Sequence, residues 1–239
     1  MERWILTKVI PTVEFHQNRY ARELDRLVRP GIRWLDVGAG KRVHSGFGQV
    51  TARELACRAA LLVGCDVVVE QLQQNELLTR GVAASGEALP FADGSFDLVT
   101  ANMVLEHLAD PAAVFREVAR VLSPGGAFAF VTPNRFHPGV WMFHHLFDPA
   151  RRRKLAHRLD RRAEDDIFPT YYHANSMADL TRLCATTGLR QETLDPFPSY
   201  PMIRHPALLT FLEALWIRSC MRGPLRRYSS NIFGCVRRG

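Results

Sequence analysis

Two acids stand where short apolar runs meet turns. Asp36 lies two residues ahead of Gly38 in WLDVGAG, and Asp66 follows the apolar run LLVGC. Carboxylates accept hydrogen bonds from hydroxyls and attract cations. Glycines lack a Cβ and let the backbone come close to a bound molecule. A dinucleotide site would read GxGxxG, with an acid about 20 residues further on. Here Val43 holds the sixth position of that pattern, which disfavours a pyrophosphate cradle. The plain alternative for the segment is an ordinary strand-to-helix turn.

A second set of residues could move protons or touch a substrate. His107 lies in VLEHL, His144 and His145 in WMFHHLF, and Tyr171, Tyr172 and His173 in PTYYHANS. Adjacent histidines on a helix diverge by about 100°, so at most one of that pair faces a common pocket. Each residue also has a bland reading as packing or surface. No acidic cluster has the look of a divalent-metal site, and Asp165 and Asp166 read as insertion surface. The five cysteines (57, 65, 184, 220 and 235) are scattered without CxxC pairs or a histidine at a zinc-ligand offset. They read as reduced, mostly buried thiols of a cytosolic protein with no structural metal.

The elements that must position these residues follow from periodicity and punctuation. Glu14 to Val28 is amphipathic and stops at Pro30-Gly31. Ile32–Val37, Leu61–Val69, Gly81–Ala84, Phe96–Ala101, Ala127–Thr132, Leu189–Leu194 and Ser230–Val236 read as strands. Val50–Ala60, Glu70–Arg80, Asp110–Leu122, Ser176–Thr187 and Ala207–Met221 read as helices. Asp110 is a good cap with Pro111 at the first helical position, Gly188 a C-cap, and Ser123-Pro124-Gly125-Gly126 a turn. Short apolar strands separated by helices predict a doubly wound, mostly parallel sheet covered on both faces. Such sheets bind ligands beyond the carboxyl ends of their strands.

Length and composition bound the rest. The chain has 239 residues, 47% hydrophobic and 23% charged, which describes one globular domain with insertions rather than a disordered or fibrous chain. No apolar run reaches the roughly 20 residues of a membrane span, and residues 1–10 do not read as a secretory leader. The formal charge is +7. The basic surplus sits in two blocks, 135–162 and 218–239; the second holds six Arg and no acid. Such blocks favour anionic partners, or are simply a solvated face. The segment LLTFLEALWIRSCMRGPLRR joins an apolar stripe to arginines. It reads either as an interfacial membrane helix or greasy tunnel, or as a core helix beneath a lid.

S-adenosylmethionine suits the first motif better than a dinucleotide does. Its methionyl end is positive, its ribose offers two hydroxyls, and it has no pyrophosphate. Residues 86–124, GEALPFADGSFDLVTANMVLEHLADPAAVFREVARVLSP, run on into a Gly-Gly turn. With WLDVGAG before them, they closely resemble the class I S-adenosylmethionine-dependent methyltransferases of small molecules, in the group often called type 11. The resemblance covers residues 31–133. It implies a seven-stranded Rossmann-like sheet with an N-terminal helix, a cofactor-binding core over 31–133, a lid or substrate insertion over 134–176, and a second helical insertion over 195–225.

Carried over residue by residue, the resemblance puts Asp36, Gly38 and Gly40 at the methionyl end of the cofactor. Asp66 falls at the ribose, Val67 near the adenine, and Ser85, Gly86 and Glu87 at the adenine edge. Asn102 and Met103 fall at the methionyl part and methyl face. Relatives often have Asp where Ser85 stands, and a third glycine where Arg42 stands; Arg42 or His44 could therefore remodel the pocket mouth. His107, His145 and Tyr172 are the candidate catalytic groups. Asn134, Arg135, Tyr171, Tyr172 and His173 are the candidate substrate contacts. The implied activity is methyl transfer to a small-molecule or lipid- or glycan-linked acceptor, at oxygen and with an anionic character hinted by the basic blocks. The implied location is cytoplasmic, with peripheral membrane contact through the C-terminal basic-apolar helix. A cofactor-binding regulator or scaffold without turnover is the alternative. Nucleic acid is not expected as a partner: neither [ND]PP[YFW] nor a Pro-Cys nucleophile occurs.

Overall fold

The computed structural model describes residues 4–43, 51–146, 168–201 and 207–239. His44, the basic run 151–162 and the pair Asp165 and Asp166 lie outside them.

Seven strands form one sheet in the order β3-β2-β1-β4-β5-β7-β6. They are β1 (Arg33–Val37), β2 (Leu61–Asp66), β3 (Arg80–Ala83), β4 (Phe96–Asn102), β5 (Leu122–Pro133), β6 (Leu189–Phe197) and β7 (Asn231–Arg238). Strands β1 to β5 pair in parallel, and β7 runs antiparallel to both β5 and β6. Strand order reverses at β1 and β4, which leaves a crevice at their carboxyl ends.

The period-two alternation of the strands assigns each face its helices. On one face Leu35, Val37, Val99, Phe128 and Phe130 pack against α4 (Pro111–Val121) and α6 (Met177–Thr187). On the other, Trp34, Leu62, Leu98, Ala129 and Val131 pack against α1 (His16–Leu27) and Leu55 of α2 (Ala52–Arg58). Helix α4 starts as its sequence predicts: Asp110 caps it by accepting the Ala113 N–H at 3.0 Å, and Pro111 follows. Ser176 caps α6 in the same way, and Gly188 ends it in the left-handed conformation. The remaining helices are α3 (Val69–Gln73), α5 (Pro138–Leu146) and α7 (Ala207–Cys220).

Three expectations need correction. Strand β2 stops at Asp66 rather than Val69, because the Asp66 carboxylate accepts the Val68 N–H and turns the chain. Helix α3 ends at Gln73 instead of Arg80. Asn75 breaks it by turning its amide inward to the Ala39 and Gly40 carbonyls. The predicted turn at 123–126 lies within β5, looped out between the Phe96–Leu122 and Leu98–Ala127 pairs. A wide helical turn at Ile5–Val9, unforeseen in the sequence, packs on Ala214 and Ile217 of α7.

Candidate active site

The bend after β1 is held almost wholly by backbone groups. Gly38 and Ala39 donate to the Cys65 carbonyl at 2.7 and 3.1 Å, which ties the bend to the tip of β2. Gly38 has φ +67°, and a Cβ there would lie 2.4 Å from Cγ2 of Val104. Only glycine meets both the dihedral and the space. The Gly40 N–H donates to Oδ2 of Asp66 at 2.9 Å, and Val68 donates to Oδ1 at 2.9 Å. Each carboxylate oxygen can accept more than one bond, so Asp66 keeps capacity for two vicinal hydroxyls while it fixes the bend. Beside it Val67 is 64% exposed, an apolar side chain standing open at a strand tip. Glycines kept clear by contacts a Cβ would violate, a strand-tip acid and an open apolar face fit a nucleoside with a positively charged tail.

Asp36 sits one layer deeper than expected. It is 2% exposed, and its Oδ1 accepts from Oγ1 of Thr100 at 2.5 Å; the same hydroxyl accepts from the Trp34 indole at 2.7 Å. Burial raises its carboxyl from the ordinary 3.8 to about 7, with a further push from Asp66 and an opposing pull from Thr100. Tyr20 of α1 lies over the group, its phenol raised by burial and then by Asp36. Asp36 therefore acts from beneath the glycine bend and does not line the open cleft.

Asn102, at the tip of β4, exchanges two amide hydrogen bonds with Gln17 of α1, at 2.9 and 2.8 Å, and donates to the Val43 carbonyl at 3.2 Å. Met103 follows in the left-handed region at φ 57°. Ser85 is exposed, with its hydroxyl accepting the Glu87 N–H at 3.2 Å. Gly86 backs onto Val37 and Val114, where a Cβ would meet them at 3.2 and 3.5 Å. These residues border the same carboxyl-end crevice as Asp66.

Across the crevice a different group gathers around the turn Leu105–His107. The Pro169 carbonyl lies 2.8 Å from His107 Nδ1. A carbonyl only accepts, so Nδ1 carries the proton and Nε2 is left as the basic nitrogen. Glu106 is buried, with Oε1 4.0 Å from that Nε2 and Oε2 accepting from Thr132 at 3.2 Å. Thr132 in turn accepts from Asn175 at 2.6 Å. The Glu106 carbonyl takes the N–H groups of Tyr171 and Tyr172, at 2.8 and 3.2 Å. Tyr172 is itself in the left-handed region at φ 56°, a conformation a bulky residue keeps only where its surroundings dictate it.

The aromatic residues separate into two kinds. His144 packs edge-on to Tyr172, with ring centroids 5.1 Å apart. His145, the expected catalytic member of the pair, instead stacks on Trp141 and places Nδ1 2.8 Å from the Trp141 carbonyl of its own helix. Tyr171 and His173 are exposed neighbours, and His173 Nδ1 sits 3.0 Å from the Ala109 carbonyl. Asn134 is buried, and both its amide hydrogens go to the Arg227 and Ser229 carbonyls. It fastens β5 to the segment before β7, which removes it from the substrate-facing set. Arg135 pairs with Asp179 at 3.3 Å and also reaches the Tyr172 carbonyl, so it positions the tyrosine segment. Gln17, Asn75, Glu106, Thr132 and Asn175 were missed in the sequence. Nothing local in the sequence shows what each of them contacts. Among the described residues no group of three or more His, Cys, Asp or Glu is placed to hold a metal ion.

Comparison with known proteins agrees with this geometry. Residues 35–130 match the family model described as a methyltransferase domain. A demethylmenaquinone methyltransferase of Corynebacterium kroppenstedtii is 38% identical over 109 residues, 44% of each chain. A ubiquinone biosynthesis O-methyltransferase of Hahella chejuensis is 37% identical over 127 residues, half of each chain. These alignments span about half the length of the curated relatives. An S-adenosylmethionine-dependent methyltransferase structure from Mesorhizobium loti superposes with a TM-score of 0.58 at 18% identity, covering 92% of this chain and 96% of that one. Residues 35–130 thus carry a methyltransferase domain, on a fold shared with S-adenosylmethionine-dependent methyltransferases.

Proposed function

We propose that the protein transfers a methyl group from S-adenosylmethionine to the oxygen of a small-molecule or lipid- or glycan-linked acceptor. The observation that carries this reading is His107: its tautomer is set by Pro169, its Nε2 is left basic, and a buried carboxylate lies 4.0 Å away. When bound, S-adenosylmethionine supplies an electrophilic sulfonium methyl. The glycine bend and Asp66 hold the nucleoside, Val67 backs the base, and Asp36 sets negative charge beneath the methionyl end. His107 takes the proton from an acceptor hydroxyl, and Glu106 stabilises the imidazolium that results. Tyr171, Tyr172 and His144 wall the acceptor and exclude water. Arg135 is held by Asp179 and the Tyr172 carbonyl, and this reading needs no anionic acceptor. It keeps 31–133 as the cofactor core, with 134–176 and 195–225 as insertions around the acceptor, and places the protein in the cytoplasm.

The test supplies labelled S-adenosylmethionine with a panel of catechols, hydroquinones and their amine and carbon-acid counterparts. Products methylated at oxygen, lost in His107→Gln while cofactor binding persists, support the reading. Methylation confined to nitrogen or carbon, or full activity in His107→Gln, overturns it. Cofactor binding without turnover of any acceptor favours the regulator.

A further inference from the structure

We propose that α7 docks the protein onto an anionic lipid surface. Surface helices ordinarily bury their leucines and expose their acids; α7 does the reverse. Its inward side carries Thr210 and Glu213 along with Ala214, Ile217 and Cys220. Its outward side carries Leu208 at 67% exposure and Leu212 at 51%, with Leu209 and Leu215 also exposed. Trp4, exposed beside Phe211, extends the apolar ridge.

The charge around the ridge names the occupant. Positions 208, 212, 215 and 219 fall on one stripe of α7 at helical spacing, and the exposed Arg222 follows just past the end of the helix. Arg218 is exposed and bonds the Val9 carbonyl at 2.7 Å, a contact that leaves its charge in place. Of the six arginines between 218 and 238, Arg226 and Arg237 pair with Asp195 and Glu192, whereas Arg218 and Arg222 stand at the C-terminal end of α7, whose only acid, Glu213, is buried. An apolar ridge with a cationic end and no exposed acid complements acyl chains beneath anionic headgroups. Among the described residues no helix is long and apolar enough to cross a membrane, so α7 lies in the interface.

The docked face adjoins the acceptor side. Helix α7 meets α5 where Glu213 Oε1 approaches Gly139, and α5 carries both His144 and the exposed pair Trp141 and Met142. A lipid-linked acceptor would enter from the membrane without crossing water. That consequence rests on the proposed reaction; the docking itself does not.

The test is co-sedimentation of the full chain with vesicles of equimolar phosphatidylglycerol and phosphatidylcholine, against vesicles of phosphatidylcholine alone. The wild type is expected to bind the anionic vesicles at least about tenfold more tightly and to weaken with added salt. The doubly substituted Leu208→Glu, Leu212→Glu protein should lose about tenfold or more of that affinity. Both leucines face outward, so its affinity for S-adenosylmethionine should not change. A wild type that stays in the supernatant, or a double variant that binds as well as wild type, overturns the proposal. So does a wild-type dimer that the double variant dissolves without any vesicle binding, since the ridge would then join two copies. Loss of docking leaves methylation of a water-soluble acceptor intact, so the two proposals fail separately.

Discussion

The two sides of the carboxyl-end crevice are built from different materials. On the β1–β2 side the groups that border it are backbone amides, glycines and one strand-tip carboxylate, all within residues 36–68. On the β4–β5 side they are side chains from three separate segments: His107, His144 of α5, and Tyr171–His173. The first side is fixed by hydrogen bonds such as Gly40 to Asp66 and Gly38 to Cys65. The second depends on a buried relay from Glu106 through Thr132 to Asn175. A backbone cradle gives one cofactor to many proteins, whereas a side-chain wall can be rebuilt for each acceptor without touching the cradle.

If the division is real, substitutions on the two sides should separate in their effects. His107→Gln should lower kcat by about a hundredfold or more with cofactor affinity unchanged, read by single-turnover kinetics and calorimetry. A parallel loss of cofactor affinity would erase the boundary. Asp66→Ala removes an acceptor of two backbone N–H groups and the proposed ribose partner. It should weaken S-adenosylmethionine by about a hundredfold, and unchanged affinity by titration would mean the ribose lies elsewhere.

Gly38→Ala combines a positive φ with the 2.4 Å approach to Val104. It should cost about 2–4 kcal/mol in chemical denaturation. Gly31→Ala, also at positive φ but with nothing within 4 Å, should cost only about 1 kcal/mol. Equal losses would show that the contact with Val104 adds nothing to the cradle.

The mildest effect concerns Asp36. Its carboxyl titrates near 7 folded and near 3.8 unfolded, so between these values the folded chain binds the extra proton. Its contribution therefore favours folding at acid pH and declines as pH rises towards about 7. The cofactor's positive end needs the ionised form, so affinity should tighten by up to about tenfold per pH unit below 7 and level above it. Calorimetry across that range, with Asp36→Asn as the flat control, would show whether the buried acid serves the cradle.

The cradle was readable in the sequence because its information is local. Strand, acid and glycines follow one another in WLDVGAG, and the cap of α4 is legible from Asp110-Pro111 alone. The acceptor wall was only partly readable. Which of two adjacent histidines turns inward depends on where Tyr172 sits, and that depends on the Glu106 carbonyl some 65 residues earlier. Asn134 looked well placed after β5, yet its partners at 227 and 229 are close only once β7 has paired with β5. The end of α3 was misjudged for a related reason, since Asn75 answers to the bend at Ala39 rather than to its own helix.

Strand β7 follows β5 and β6 in the chain but lies between them in the sheet. A nascent polypeptide leaving the ribosome can therefore assemble β1 to β5 early, with one side of β5 still unsatisfied and β6 lacking its only neighbour. Synthesis interrupted anywhere from 207 to 230 would leave both exposed to proteases and to other unfinished chains, so quality control should recognise truncation there far more readily than a lesion at the β3 edge.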